Sequence, residues 1–210
     1  MDGRTRGRFV ALEGIDGSGK TTQLRLLLER LRSRGVPCRG TQEPSDGPVG
    51  AMLRQILTGR LTADGRVLAG LFTADRLDHL VNPRDGLLAQ VERGVTVVTD
   101  RYYFSSYAYQ AVDADLDWLI QCNRLCADLL RPDATVFLDV PVPQALDRIT
   151  RNRDRTELFE RADRLTATRE KYLEAFRRLE GQETVLTVDA GGTVEETADR
   201  VWAAVAHLFP

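Results

Sequence analysis

The sequence predicts an alternating α/β fold: a five-stranded parallel sheet with helices on both faces. Three observations predict it. Short apolar strands alternate with amphipathic helices along the whole chain. Two of the strands, VTVVTD at Val95 to Asp100 and ATVFLDV at Ala134 to Val140, are apolar, β-branched runs of the kind that parallel strands buried on both faces show. A glycine-rich loop joins the first strand to the first helix.

The elements follow in order. RFVALEG, residues 8–14, is a strand ending at glycine. Lys20 to Arg34 is helical, with Leu24, Leu27, Leu28 and Leu31 on one stripe and Gly35 as the stop. A second strand runs from Cys38 to Glu43, and Pro44 to Pro48 is a turn-rich loop. Helices are expected at Val49 to Leu57, Ala63 to Leu80 and Gly86 to Arg93, then the Val95–Asp100 strand. Carboxylates open a helix from Asp115 to Leu130. After the Ala134–Val140 strand, Pro141 and Pro143 open a helix reaching about Thr150. RNRDRTELFE, Arg151 to Glu160, is charged and weakly apolar, and reads as a mobile loop or a short charged hairpin of helices. A helix at Arg164 to Leu179, a strand at Thr184 to Ala190 and a helix at Thr193 to Leu208 complete one domain spanning 1–210.

Composition bounds the function. With a net charge of −2 there is no overall basic field to hold nucleic acid or an anionic membrane, so any anion site is built locally. No apolar run is long enough to cross a bilayer, and the N-terminus lacks the apolar stretch of a secretory signal. Three cysteines, Cys38, Cys122 and Cys126, form no disulfide framework, and a cytoplasmic location is expected.

The loop Gly14–Thr21 reads GIDGSGKT. Its glycines let backbone N–H groups converge on phosphate oxygens, and the helix starting at Lys20 adds its positive dipole end. Lys20 is placed to reach β- and γ-phosphates and is expected to face solvent when ATP is absent; Thr21 offers a hydroxyl to Mg²⁺. This is a P-loop, and with Ile15, Asp16, Gly17, Ser18, Gly19 and Thr22 it makes the nucleotide site of a phosphotransferase. Asp16 is a carboxylate inside an anion-holding loop, which suits a sugar hydroxyl on a second substrate. Asp100 and Arg101 end a strand where such sheets face their ligand, so Asp100 can hold Mg²⁺ or orient an acceptor and Arg101 can clamp a phosphate.

Four segments, in order and separation, resemble the thymidylate kinase family: EGIDGSGKTTQ (Glu13–Gln23), EPSDGPVGAMLRQIL (Glu43–Leu57), LFTADRLDHL (Leu71–Leu80) and DRYYFSSYAYQ (Asp100–Gln110). The resemblance implies an ATP-dependent, Mg²⁺-requiring kinase acting on dTMP, as a homodimer. It implies that Phe72 stacks on the thymine ring and Arg76 bonds its exocyclic oxygen. Arg101 then holds the monophosphate, Ser106 faces the base edge, Tyr109 lies beneath the deoxyribose with Gln110 beside it, and Asp16 meets the 3′-hydroxyl. The chain departs from the family where Gln42 precedes Glu43–Pro44 in place of arginine and where Ser45 and Asp46 replace a glycine pair. Arg54 is the substitute candidate for the acceptor phosphate. Arg151, Arg153 and Arg155 are the candidate catalytic cations of a lid near 151–160, and Asp163 or Glu160 is its acidic partner. Two other readings remain at this stage: a deoxynucleoside kinase with Asp100 as base, and a non-catalytic nucleotide switch.

Overall fold

The computed structural model describes residues 6–149 and 155–209, with the side chains of 155–160 left undescribed. Five parallel strands, β1 (Phe9–Glu13), β2 (Cys38–Gln42), β3 (Thr96–Asp100), β4 (Ala134–Asp139) and β5 (Val185–Asp189), lie in the order β2-β3-β1-β4-β5. β1 and β3 are buried along their whole length, whereas the edge strands β2 and β5 are largely accessible. The apolar runs of the sequence therefore mark the sheet centre.

The helices are α1 (Lys20–Ser33), α2 (Pro48–Leu57), α3 (Gly65–Val81), α4 (Leu87–Glu92), α5 (Tyr103–Tyr109), α6 (Leu116–Leu129), α7 (Val142–Ile149), α8 (Arg155–Arg178) and α9 (Val194–Val205). α1 packs with α9, while α3, α5, α6 and α8 pack among themselves. Local chemistry fixes several ends. Pro48 opens α2, Asp115 caps α6 through the Trp118 N–H, and Thr193 and Glu196 form a reciprocal capping box at the start of α9.

Two expectations change. α8 begins at Arg155, nine residues before the expected start at Arg164, so residues 155–160 are helical rather than a loop or a separate hairpin. Thr150 to Asp154, including the lid candidates Arg151 and Arg153, lie outside the described residues. The aromatic segment after Asp100 also forms a helix of its own, α5, which the sequence pattern did not mark.

Strand order reverses beside β1, whose neighbours are β3 and β4. That is the topological switch point, and ligands of open parallel sheets bind outside the carboxyl ends of the strands there. The phosphate loop follows β1, Glu43 follows β2, and Asp100–Arg101 closes β3, so the three segments meet at one edge of the sheet.

Candidate active site

Gly14, Gly17 and Gly19 take positive φ angles of 148°, 80° and 93°. At Gly17 a Cβ would stand 2.4 Å from the Ala145 carbonyl oxygen, so α7 excludes any side chain there. Arg148, which sequence reasoning missed, braces the loop by donating to the Gly17 carbonyl at 3.2 Å and the Ala190 carbonyl at 3.0 Å.

Lys20 does not face solvent. Its ammonium is buried and donates to the carbonyls of Gly14 (2.9 Å) and Ile15 (3.0 Å). The loop backbone folds around the cation and supplies the oxygens that phosphate would otherwise offer. Burial, and next the Arg101 guanidinium, push its pKa down to about 8 against the pull of Asp100, Asp16 and Glu13. Thr21 and Asp100 meet directly, Thr21 Oγ1 donating to Asp100 Oδ2 at 2.7 Å. Ile15 is buried, and the Ser18 hydroxyl is buried without a hydrogen-bond partner among the described residues. Gly17, Gly19, Lys20, Thr21, Thr22 and Asp100 line a cavity of about 430 Å³.

A second cavity of about 480 Å³ lies beside it. Phe72, Arg76, Ser106, Tyr109 and Gln110 line it, as do Leu57, Leu68 and Asp113. α8 adds Arg161, Arg164, Leu165 and Thr168, none of which the sequence singled out. The two cavities share a wall of Asp16, Glu43, Pro44 and Arg101.

On that wall Arg101 donates to Asp16 Oδ1 at 2.5 Å and to Ser105 Oγ and Tyr109 Oη at 3.3 Å each, and lies 4.7 Å over the Tyr109 ring. Tyr109 also donates to Asp16 at 3.1 Å. Burial opposes the Asp16 charge, but the Arg101 and Lys20 cations and the two hydrogen bonds outweigh it and hold the carboxyl below its usual range. Burial pushes the Tyr109 hydroxyl up, so it acts as a neutral donor.

Arg76 is almost fully buried, deep in the second cavity. It pairs with Glu43 (2.6 and 2.8 Å), donates to Ser106 Oγ at 3.3 Å and the Tyr102 carbonyl at 3.1 Å, and bonds Asn123. Four hydrogen bonds and the ion pair to Glu43 thus hold the guanidinium in place. Phe72 is only half-buried and lines the cavity freely. The Gln110 side-chain amide oxygen is buried without a partner among the described residues. Arg54 stands apart, donating to the carbonyls of Pro44 (3.2 Å) and Ser45 (2.6 Å) and lining neither cavity. The departure at Ser45 has a local cause. Its N–H and hydroxyl both donate to Asp75, at 2.7 and 2.6 Å, which ties the loop to α3.

A phosphate-cradling loop and an aromatic, cation-bearing cavity meeting at one wall define a P-loop kinase, an ATP-dependent phosphotransferase with a second substrate site. The thymidylate kinase family model matches residues 12–201. A probable thymidylate kinase of Pyrococcus horikoshii is 36% identical over 96% of this chain and 97% of its own. A thymidylate kinase of Rhodopirellula baltica is 34% identical over 97% of this chain and 81% of its own. The chain belongs to the thymidylate kinase family.

Proposed function

We propose that the protein transfers the γ-phosphoryl group of ATP to dTMP, giving ADP and dTDP. The observation that carries this reading is the shared wall. Asp16, Glu43, Pro44 and Arg101 border both the phosphate-loop cavity and the base-sized cavity, so two nucleotides seated there would bring their phosphates together at Arg101. The relatives' names supply the particular acceptor.

The residues' parts follow from their chemistry. Lys20 exchanges its two carbonyl partners for β- and γ-phosphate oxygens. Arg101 grips the acceptor's phosphate, an oxygen of which attacks the γ-phosphorus as the bond to ADP breaks. That dianion is already nucleophilic, so positioning and charge stabilisation carry the rate. Thr21 and Asp100 present hard oxygens to the loop cavity and would hold Mg²⁺, which would supply charge neutralisation to the transferring phosphoryl group. Phe72 offers a stacking face, Tyr109 crowds the sugar, and Asp16 accepts from the 3′-hydroxyl. Arg151, Arg153 and Arg155 are the candidate cations for stabilising the transferring phosphoryl group. Asp100 accepts from Thr21 and does not line the acceptor cavity, which disfavours it as the base of a nucleoside kinase.

The homodimer and the cytoplasmic location belong to this reading. Exposed Val67 on α3 and Leu125 and Leu129 on α6 give a second copy apolar surface to cover. Among the described residues no helix is long and apolar enough to cross a membrane. The decisive experiment is ADP release from MgATP with dTMP, with thymidine and with neither. Release is expected with dTMP alone; equal release without an acceptor, or a preference for thymidine, overturns the reading.

A further inference from the structure

Glu13 ends β1, immediately before the phosphate loop, and is fully buried. It lines neither cavity. A charge in that position is costly unless its lone pairs are met. Four donors converge on it. The N–H groups of Tyr102 (2.8 Å) and Ser105 (3.0 Å) reach Oε1, and the hydroxyls of Ser105 (2.6 Å) and Tyr172 (2.8 Å) reach Oε2. Burial pushes its pKa upward, while these bonds favour the charged carboxylate.

The two backbone bonds have a structural consequence. Helix α5 has no side-chain cap of its own at Tyr102. Glu13 reaches across from β1 to the N–H of Tyr102, the residue before α5, and to the N–H of Ser105 in its first turn, which it shares with the Tyr102 carbonyl at 3.1 Å. That helix carries Ser106 and Tyr109 into the acceptor cavity. The Ser105 hydroxyl then makes a second link, donating to Glu13 while accepting from Arg101 at 3.3 Å. Arg101 needs such support. Its φ of 75° is unfavourable for any residue but glycine, and its backbone N–H is pinned to the Leu12 carbonyl at 2.9 Å.

We propose that Glu13 is a positioning residue for phosphoryl transfer: from β1 it caps α5 and, through the Ser105 hydroxyl, holds the Arg101 guanidinium on the wall between the two cavities. The proposal rests on the reading of Arg101 as the grip on the acceptor's phosphate. It extends the active site into the sheet core, to a side chain that touches no substrate.

Glu13→Gln preserves size but removes the charge and turns one acceptor into a donor facing two hydroxyls. Ser105→Ala removes the hydroxyl that links Glu13 to Arg101, and with it a bond to Tyr172 at 3.0 Å on the wall of the acceptor cavity, and keeps the N–H. The measurement is kcat and KM for dTMP and for ATP in both single variants and the double variant of the full chain. Each single variant is expected to lose about tenfold to a hundredfold in kcat/KM for dTMP, with little change in the KM for ATP. The double variant is expected to fall no further than the worse single, because the two residues act in one chain. Equal losses on the ATP and dTMP sides, or additive losses, overturn the proposal. If Glu13→Gln does not fold, Ser105→Ala decides, and unchanged dTMP kinetics overturn the proposal. If the unaltered protein shows no dTMP-dependent ADP release, the substrate reading fails on its own. The positioning role is then read from a crystal structure of Ser105→Ala: Arg101 displaced from Asp16 supports it, and an unmoved Arg101 overturns it.

Discussion

Arg101 holds Asp16 at 2.5 Å across the wall that the two cavities share, so the loop that would bind ATP and the side chain that would grip the acceptor are already one charged unit. Asp16 is the half-exposed member of the pair, and its Oδ2, without a partner among the described residues, is there to meet a sugar hydroxyl. The protein is therefore expected to prefer dTMP over its 3′-deoxy analogue by about 1.5–3 kcal/mol in kcat/KM, the range of a hydrogen bond to a charged group. Asp16→Ala should erase most of that preference. Comparing kcat/KM for the two substrates checks it; a preference that survives in Asp16→Ala removes the residue from the sugar site.

Lys20 makes a prediction about protons. Its folded pKa of about 8 lies below the ordinary value of 10.5, so between those limits the unfolded chain binds more protons and the contribution of Lys20 to stability rises with pH. ATP phosphates favour the charged form and raise that pKa again. Binding should therefore take up protons at about pH 8.5, and Lys20→Arg should abolish the uptake. Calorimetry in two buffers of different ionisation enthalpy measures it directly. Proton release, or none at all, would show that Lys20 does not meet the phosphates.

Phe72 and Arg76 share a face of α3 but should fail differently. Phe72→Ala removes a half-buried stacking surface and is expected to weaken dTMP binding by about 1–3 kcal/mol with little loss of melting temperature. Arg76→Ala strands the buried Glu43 carboxylate, which costs about 3–5 kcal/mol of stability before any effect on substrate. Thermal melts run beside dTMP titrations separate the two. Equal destabilisation by both variants would make Phe72 a packing residue.

The lid arginines supply the fourth prediction. Replacing Arg151, Arg153 and Arg155 together with alanine should lower kcat on the order of 10³-fold, as loss of a transition-state arginine does. The KM for dTMP should change far less. Near-normal turnover in the triple variant would move the search to Arg161 and Arg164, which line the acceptor cavity from α8.

The sheet and the phosphate loop were legible because their physics is local. β-branched runs bury on both faces, and glycines at fixed offsets turn the backbone toward an anion. Helix α5 was not legible. Six of its seven residues, Tyr103 to Ala108, are buried, so it shows no apolar-polar period, and its cap is a glutamate from another strand. The early start of α8 was hidden because its first turns are strongly charged, and Arg161 was lost with it. The burial of Lys20 depends on loop carbonyls folding back over it, and no spacing encodes that.

The shared wall also ties the two substrates together thermodynamically. An acceptor phosphate that draws the Arg101 guanidinium toward itself weakens its hold on Asp16, and so alters the field felt at Lys20 in the neighbouring loop. Any such effect is reciprocal: by whatever factor the acceptor changes the equilibrium affinity for ATP, ATP must change the affinity for the acceptor. Through that one ion pair at the junction the two sites would be linked, with each ligand changing the other's affinity by the same factor.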